Sequence, residues 1–197
     1  MLLLVRHGQT GPNADGLLLG RSDPPLTELG RQQARRIGNG LTNEGCVVSK
    51  IISSPLTRAL ETARLIDPAI HIEVDNRWVE IDYGQEEGRP VREVPIEVWK
   101  EWRADPSWRP GGGESLVDVG QRVRSACEEL LADARPGNVV VVSHVSPIKA
   151  AIGWALGCDD RIAWRLHLSI GSICRLEARD SGPVVHSFNE TAHLGAT

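Results

Sequence analysis

The chain has 197 residues, 41% of them hydrophobic, which is enough apolar side chain to bury a well-formed core. Its 22 Lys and Arg against 26 Asp and Glu give a formal net charge of -4, arguing against a nucleic-acid or anionic-membrane partner. The apolar run at the start, Met1 to Val5, falls far short of a signal-peptide core or a spanning helix, so a soluble, cytoplasmic protein is expected.

In chain order, "LLLV" at 2–5 is short, continuous and apolar, as a central strand covered on both faces would be. A helix from about Thr27 to Leu41 would turn Ala34, Ile37 and Leu41 inward. The run "VVSKII" at 47–52 predicts a second strand. It is followed by a helix with Ser54 as cap, Pro55 at its first position, and Leu56, Ala59, Leu60, Ala63 and Ile66 on one face. A strand near 70–74 leads into a Pro- and Gly-rich excursion, about 77–114, holding Trp78, Trp99, Trp102 and Trp108. Only a short helix near Ile96 to Arg103 fits there, and the segment reads as a lid-like insertion folded over one sheet edge. Packing of a satellite core accounts for any single tryptophan equally well.

Ser115, with Asp118 three residues on, then caps a long amphipathic helix carrying Leu116, Val119, Val123, Ala126, Leu130 and Leu131, stopped by Pro136-Gly137. The strand "VVVV" at 139–142 precedes a helix with Pro147 at its first position, and strands near 172–177 and 184–188 complete the set. Strands alternating with helices predict an α/β fold: a mostly parallel sheet with helices on both faces. Cys46, Cys127, Cys158 and Cys174 are widely spaced, which suits free thiols in a reducing compartment better than disulfides or zinc.

Functional groups in such sheets gather beyond the carboxyl ends of the strands. Arg6-His7-Gly8 follows the first strand, Arg58 sits just past the second, and Ser143-His144 follows "VVVV". Two arginines and two histidines would therefore face one crevice, with two helix amino termini aimed at it. Each residue alone fits a structural role; four arriving from three strand ends call for an anion. A phosphoryl group fits, because guanidinium forks bind its oxygens and neutral imidazole attacks phosphorus. His7 is then the nucleophile, its pKa lowered by the cations, while a cationic His144 joins Arg6 and Arg58 in stabilising the equatorial oxygens. The candidate proton donor is Glu80 in "WVEIDYGQEEGRP", shielded by the tryptophan-rich segment, with Asp82, Glu86 and Glu87 as competitors. His71, His167, His186 and His193 lack such company and read as structural.

The set "LVRHGQTGPN", "DPPLTELGRQQA", "SSPLTRALETA", "EIDYGQEEG", "PGGES" and "VVVVSHVSPIK", in that order, resembles the histidine phosphatase superfamily, which includes the cofactor-dependent phosphoglycerate mutases. The resemblance covers nearly the whole chain and implies one domain over 1–197. It implies a three-layer α/β/α sandwich whose doubly wound sheet is mostly parallel with one antiparallel strand. It implies phosphorylation of His7, a phosphate pocket completed by Arg6, Arg58 and His144, and Glu80 as proton donor. Asn13 falls where the family places an amide on the phosphate, and Gly20 where a backbone group touches substrate. No metal or other cofactor is implied. The short chain, "IDYGQEEG" in place of an "RHYG"-like carboxylate clamp, and Leu19 before Gly20 favour a phosphatase over a phosphoglycerate mutase. Val145-Ser146 replaces the family's usual glycines after His144. The expected partner is a small phosphorylated metabolite, its pocket shaped by Trp78, Trp99, Trp102 and Arg89. A sheet edge or helix face could pair two copies into a homodimer.

Overall fold

The run Leu2–Val5 lies near the middle of a six-stranded sheet in the computed structural model, which describes residues 1–135 and 137–195. The strands are β1 (Leu2–Arg6), β2 (Val48–Ser53), β3 (Ile72–Val74), β4 (Asn138–Ser143), β5 (Ile173–Arg179) and β6 (Gly182–Glu190), in the order β3-β2-β4-β1-β5-β6. β3, β2, β4 and β1 are mutually parallel; β5 runs antiparallel to both its neighbours and is the one reversed strand.

Alternation along the strands divides the core. Leu2, Leu4, Ile52, Val139 and Val141 face one layer; Leu3, Val5, Ile51, Val140 and Val142 face the other. The first layer is covered by α5 (Leu116–Ala134) and α6 (Val145–Ala155), the second by α2 (Glu28–Asn43) and α3 (Thr57–Ile66). The two remaining helices are a single turn, α1 (Gly11–Ala14), and α4 (Ile96–Ala104). Leu2–Val5 of β1 is apolar because it is covered on both sides, each buried leucine contributing about 2 kcal/mol.

Several helix starts differ from the sequence expectation, each because a distant group takes the first amides. α3 begins at Thr57, not Pro55, and Leu56 rather than Ser54 is its N-cap. The Asp23 carboxylate accepts from the Thr57 N–H at 2.6 Å and its hydroxyl at 2.7 Å. α6 begins at Val145, with His144 as N-cap and Pro147 at its third position. Its first two N–H groups donate to Glu80. α5 keeps the expected Ser115–Asp118 capping box and ends at Ala134; Pro136, half of the expected stop, lies outside the described residues.

The 77–114 segment divides into two parts. Trp78 and Ile81 are fully buried beside Leu2 and Leu4, so Trp78 is a core residue and no part of a substrate wall. Further on, Trp99 and Trp102 of α4 stack with ring centroids 5.8 Å apart, Trp102 buried in the same core and Trp99 packed against it. Arg89, also expected at the pocket, instead pairs with Glu86 at 3.1 Å.

The turn after β1 is held by a glycine-on-glycine approach. A Cβ on Gly8 would strike the Gly30 carbonyl at the start of α2, and one on Gly30 would strike the Gln9 carbonyl. Both obstacles are backbone, so Gly8→Ala should lower the urea-unfolding free energy by about 2 kcal/mol. A wild-type midpoint in that variant would mean that α2 moves aside freely and does not fix the turn.

Candidate active site

β1, β2 and β4 all end at the same edge of the sheet. Arg6 is in register with Ser143, and Ser53 with Val142, so the residues after each strand meet in one crevice. His7, Arg58, Glu80 and His144 are all buried there, and Arg6 is partly buried.

Hydrogen bonds fix both imidazole tautomers. Nδ1 of His7 lies 2.7 Å from the Gly8 carbonyl oxygen. A carbonyl only accepts, so Nδ1 carries the proton and Nε2 keeps its lone pair. Nδ1 of His144 accepts from Arg58 Nε at 3.2 Å, so its proton is on Nε2, which meets Ser54 Oγ at 2.7 Å. The ring centroids are 5.0 Å apart and the planes tilted by 59°. Burial, reinforced by Arg58 and Arg6, holds both histidines well below the ordinary histidine range. The expectation of a cationic His144 is therefore corrected: the nitrogen that would take the second proton is already the acceptor of a guanidinium N–H.

Arg58 is inaccessible to solvent and spends three donors inside the chain, on His144, on the Ser22 carbonyl at 2.7 Å and on the Gly20 carbonyl at 2.7 Å. Arg6 donates to the Leu168 carbonyl at 2.6 Å, while its Nε is buried without a partner. Burial pushes the Arg6 guanidinium down to about 10, with Glu80 acting in the opposite direction, so it stays cationic at neutral pH. The crevice holds two guanidiniums, neither of them in a salt bridge with a carboxylate among the described residues.

Glu80 is the acidic residue of the four candidates placed against this cluster. Its Oε1 accepts from the N–H groups of Ile81 at 2.8 Å and Ser146 at 3.1 Å, and its Oε2 from that of Val145 at 3.0 Å. Asp82 caps Gly84, and Glu86 pairs with Arg89. The Glu87 carboxylate sits in a nest of N–H groups from Gly20, Arg21 and Ser22, at 3.0 to 3.3 Å. Gly20 accordingly has its N–H on Glu87 and its carbonyl on Arg58, rather than presenting a free backbone group. Asn13 closes a capping box with Thr10 through its amide oxygen, and its amide nitrogen has no partner among the described residues.

Sequence reasoning missed Ser54 as a partner of His144, and missed Tyr83, Lys149 and Trp164, which line a cavity beside Glu80. Lys149 left one trace: a cation in the otherwise apolar run "PIKAAIGWA". Among the described residues no group of His, Cys, Asp or Glu is arranged to hold a metal ion, and no helix is long and apolar enough to cross a membrane.

Known proteins resemble this chain over nearly its whole length. A bifunctional protein of Mycobacterium tuberculosis is 36% identical over 98% of this chain. The chain spans about half, 54%, of that relative's length. A probable phosphoglycerate mutase of Yersinia enterocolitica is 34% identical, over 98% of this chain and 94% of its own. The crystal structure of an Entamoeba histolytica phosphoserine phosphatase mutant with phosphoserine superposes with a TM-score of 0.89 at 28% identity, covering 98% of both chains. The family model for the histidine phosphatase superfamily (branch 1) matches residues 2–191, and the chain belongs to that superfamily.

Proposed function

We propose that the chain is a metal-independent phosphomonoesterase that works through a phosphohistidine on His7, with Glu80 as the proton donor. The observation that carries this reading is the His7 tautomer. The Nδ1–H bond to the Gly8 carbonyl leaves the Nε2 lone pair free in a crevice whose two guanidiniums have no carboxylate contact among the described residues. Arg6 and Arg58 supply the positive charge that the transferring phosphoryl group requires. His144 offers a neutral Nε2–H donor, now on Ser54, for a phosphoryl oxygen.

In the first step the Nε2 lone pair of His7 forms a bond to phosphorus as the bond to the ester oxygen breaks. A proton moves from Glu80 to the departing oxygen. Oε1 of Glu80 has both acceptor sites filled by N–H groups, whereas Oε2 has one filled, so Oε2 is the oxygen able to carry that proton. In the second step water attacks the phosphohistidine, returns a proton to Glu80, and inorganic phosphate leaves with the Nε2 lone pair restored.

The phosphoserine phosphatase likeness supports hydrolysis, while the probable-mutase name of the Yersinia relative points to phosphoglycerate isomerisation. Hydrolysis is favoured because Glu87 fixes a carboxylate in the nest at Gly20–Ser22, working against a substrate that brings further negative charge there.

Phosphate release from p-nitrophenyl phosphate should persist in excess chelator and fall by about 10³-fold or more in His7→Ala. Full activity in that variant, or chelator sensitivity, would refute the mechanism. Conversion between 3- and 2-phosphoglycerate outpacing phosphate release would establish the mutase instead. Glu80→Gln should slow an alkyl phosphate by about 10²-fold but p-nitrophenyl phosphate far less, since nitrophenolate leaves without a proton. Equal slowing of both esters removes Glu80 from the donor role.

The pH dependence follows from the lowered histidine pKa. A base whose pKa lies below the ordinary value stays neutral as acid is added, so kcat/KM for p-nitrophenyl phosphate should not titrate away around pH 6.5, the ordinary histidine value. A loss of rate centred there would mean that His7 is an unperturbed imidazole.

A further inference from the structure

A cavity of 190 Å³ opens beside the start of α6, and its walls differ in kind from the phosphate crevice. Tyr83, Trp99, Trp102 and Trp164 give it an aromatic side; Val145, Ser146 and Lys149 of α6 also line it. Val145 and Ser146 are the residues whose N–H groups hold the Glu80 carboxylate, so the cavity begins where the proposed proton donor ends.

The aromatic side is rigid. Trp99 and Trp102 stack nearly parallel, at 10°, and Trp164 stands edge-on to both, at 90° and 85°. Tyr83 meets Trp102 edge-on at 5.7 Å. Arg103 lies 5.4 Å over the Trp164 ring and holds it from outside. Ring faces fixed in this way favour another flat or ring-shaped group over a flexible chain. A cavity of about 150 Å³ takes up one benzene, so 190 Å³ admits a single substituted ring.

The α6 part of the lining carries a cation with no counter-ion among the described residues. Lys149 Nζ donates to the Ala163 carbonyl at 3.0 Å, and no carboxylate among the described residues forms a salt bridge with it. Two of its three N–H donors remain available. It lies within the field of both Glu80 and Arg6, and burial lowers its pKa. An ammonium kept partly buried with a single carbonyl for company is placed to receive an acceptor that the chain does not supply.

We infer that the leaving group of the natural phosphomonoester is a single ring that lies against Trp99 and Trp164 and turns an oxygen acceptor, carboxylate or hydroxyl, toward Lys149. The inference rests on the phosphatase reading above and adds to it the class of ester. A phenol-derived ring and a sugar ring share this chemistry. Both differ from open-chain alcohols such as glycerol, which have acceptors but no ring face, and from unsubstituted phenol, which has a face but no acceptor.

Four probes separate these properties: phenyl phosphate, 4-carboxyphenyl phosphate, glucose 6-phosphate and glycerol 3-phosphate, each assayed with wild type, Lys149→Met, Trp99→Leu and His7→Ala. In the wild type, kcat/KM for 4-carboxyphenyl phosphate or for glucose 6-phosphate should exceed that for glycerol 3-phosphate by about tenfold or more. Whichever is preferred identifies the ring as phenol- or sugar-derived. Lys149→Met should cut the preference for 4-carboxyphenyl over phenyl phosphate by about tenfold, the size of one charge-assisted hydrogen bond. Trp99→Leu should cut the ring-over-glycerol preference, and Trp99→Phe, which keeps a ring face, should restore it. Wild-type rates that are equal across the four esters, or variants that scale all four alike, overturn this inference while leaving the phosphatase reading intact. Turnover that survives His7→Ala overturns the phosphohistidine reading itself, and absence of turnover by the wild type with all four esters overturns both.

Discussion

The site depends on one buried cation. Arg58 has no solvent contact, yet its guanidinium touches no carboxylate among the described residues; its donors go to two carbonyls and one imidazole nitrogen. Burying a charge in this way is unfavourable unless its hydrogen bonds are met and an opposite charge is near. The chain meets it part way, because Glu80, Asp23 and Glu87 act on Arg58 from a distance. An anion bound in the crevice would offset the remaining imbalance. The same three bonds tie α3 to the loop at Gly20–Ser22 and to the start of α6, so one side chain both sets the electrostatics of the crevice and joins the segments that form it. Arg58 also decides the state of His144. By donating to Nδ1 it bars a second proton there and directs the Nε2–H inward.

A second constraint comes from the sheet. Parallel pairing of β2, β4 and β1 brings their carboxyl ends to one level, as the Arg6–Ser143 and Ser53–Val142 registers show. The Gly8–Gly30 approach then holds the turn in which the Gly8 carbonyl meets His7 Nδ1. The position of His7 is thus a product of backbone packing rather than of side-chain contacts alone. A site built on strand ends and a close backbone contact has its geometry set by the fold, which is the preorganisation that charge stabilisation in a low-dielectric crevice requires.

What could be read from the sequence follows the range of the forces involved. Central strands were legible because burial on both faces leaves a continuous apolar run, and α5 was legible because Ser115 and Asp118 cap it from within three residues. The starts of α3 and α6 were not, because their first amides bind Asp23 and Glu80, far away in sequence. The positions of His7, Arg58 and His144 in one crevice could be inferred from strand ends, but the protonation of His144 could not, since it depends on which atom of Arg58 faces which nitrogen. Trp78 shows the limit of composition: it lies in a Pro- and Gly-rich stretch with the other tryptophans, yet it is buried in the core, while Trp99 lines the cavity. Lys149 was hidden in the same way, as a lone cation whose meaning comes from the aromatic side of the same cavity.

The two halves of the site solve different problems with different materials. On the phosphatase reading, phosphate asks for charge and directed donors, and the strand ends supply guanidiniums, imidazoles and amide groups. The leaving group asks for shape and exclusion of water, and α4, α6 and the Trp164 segment supply ring faces and a single cation. Glu80 lies on the boundary, held by the first amides of α6, the helix that also carries Lys149. Val145 and Ser146 act at this boundary. Their backbone N–H groups fix the carboxylate, and their side chains, which glycines would lack, become cavity wall. A substitution there can reshape the space offered to the leaving group while the amide bonds to Glu80 stay in place. The phosphate chemistry can therefore remain constant while the ester it acts on changes.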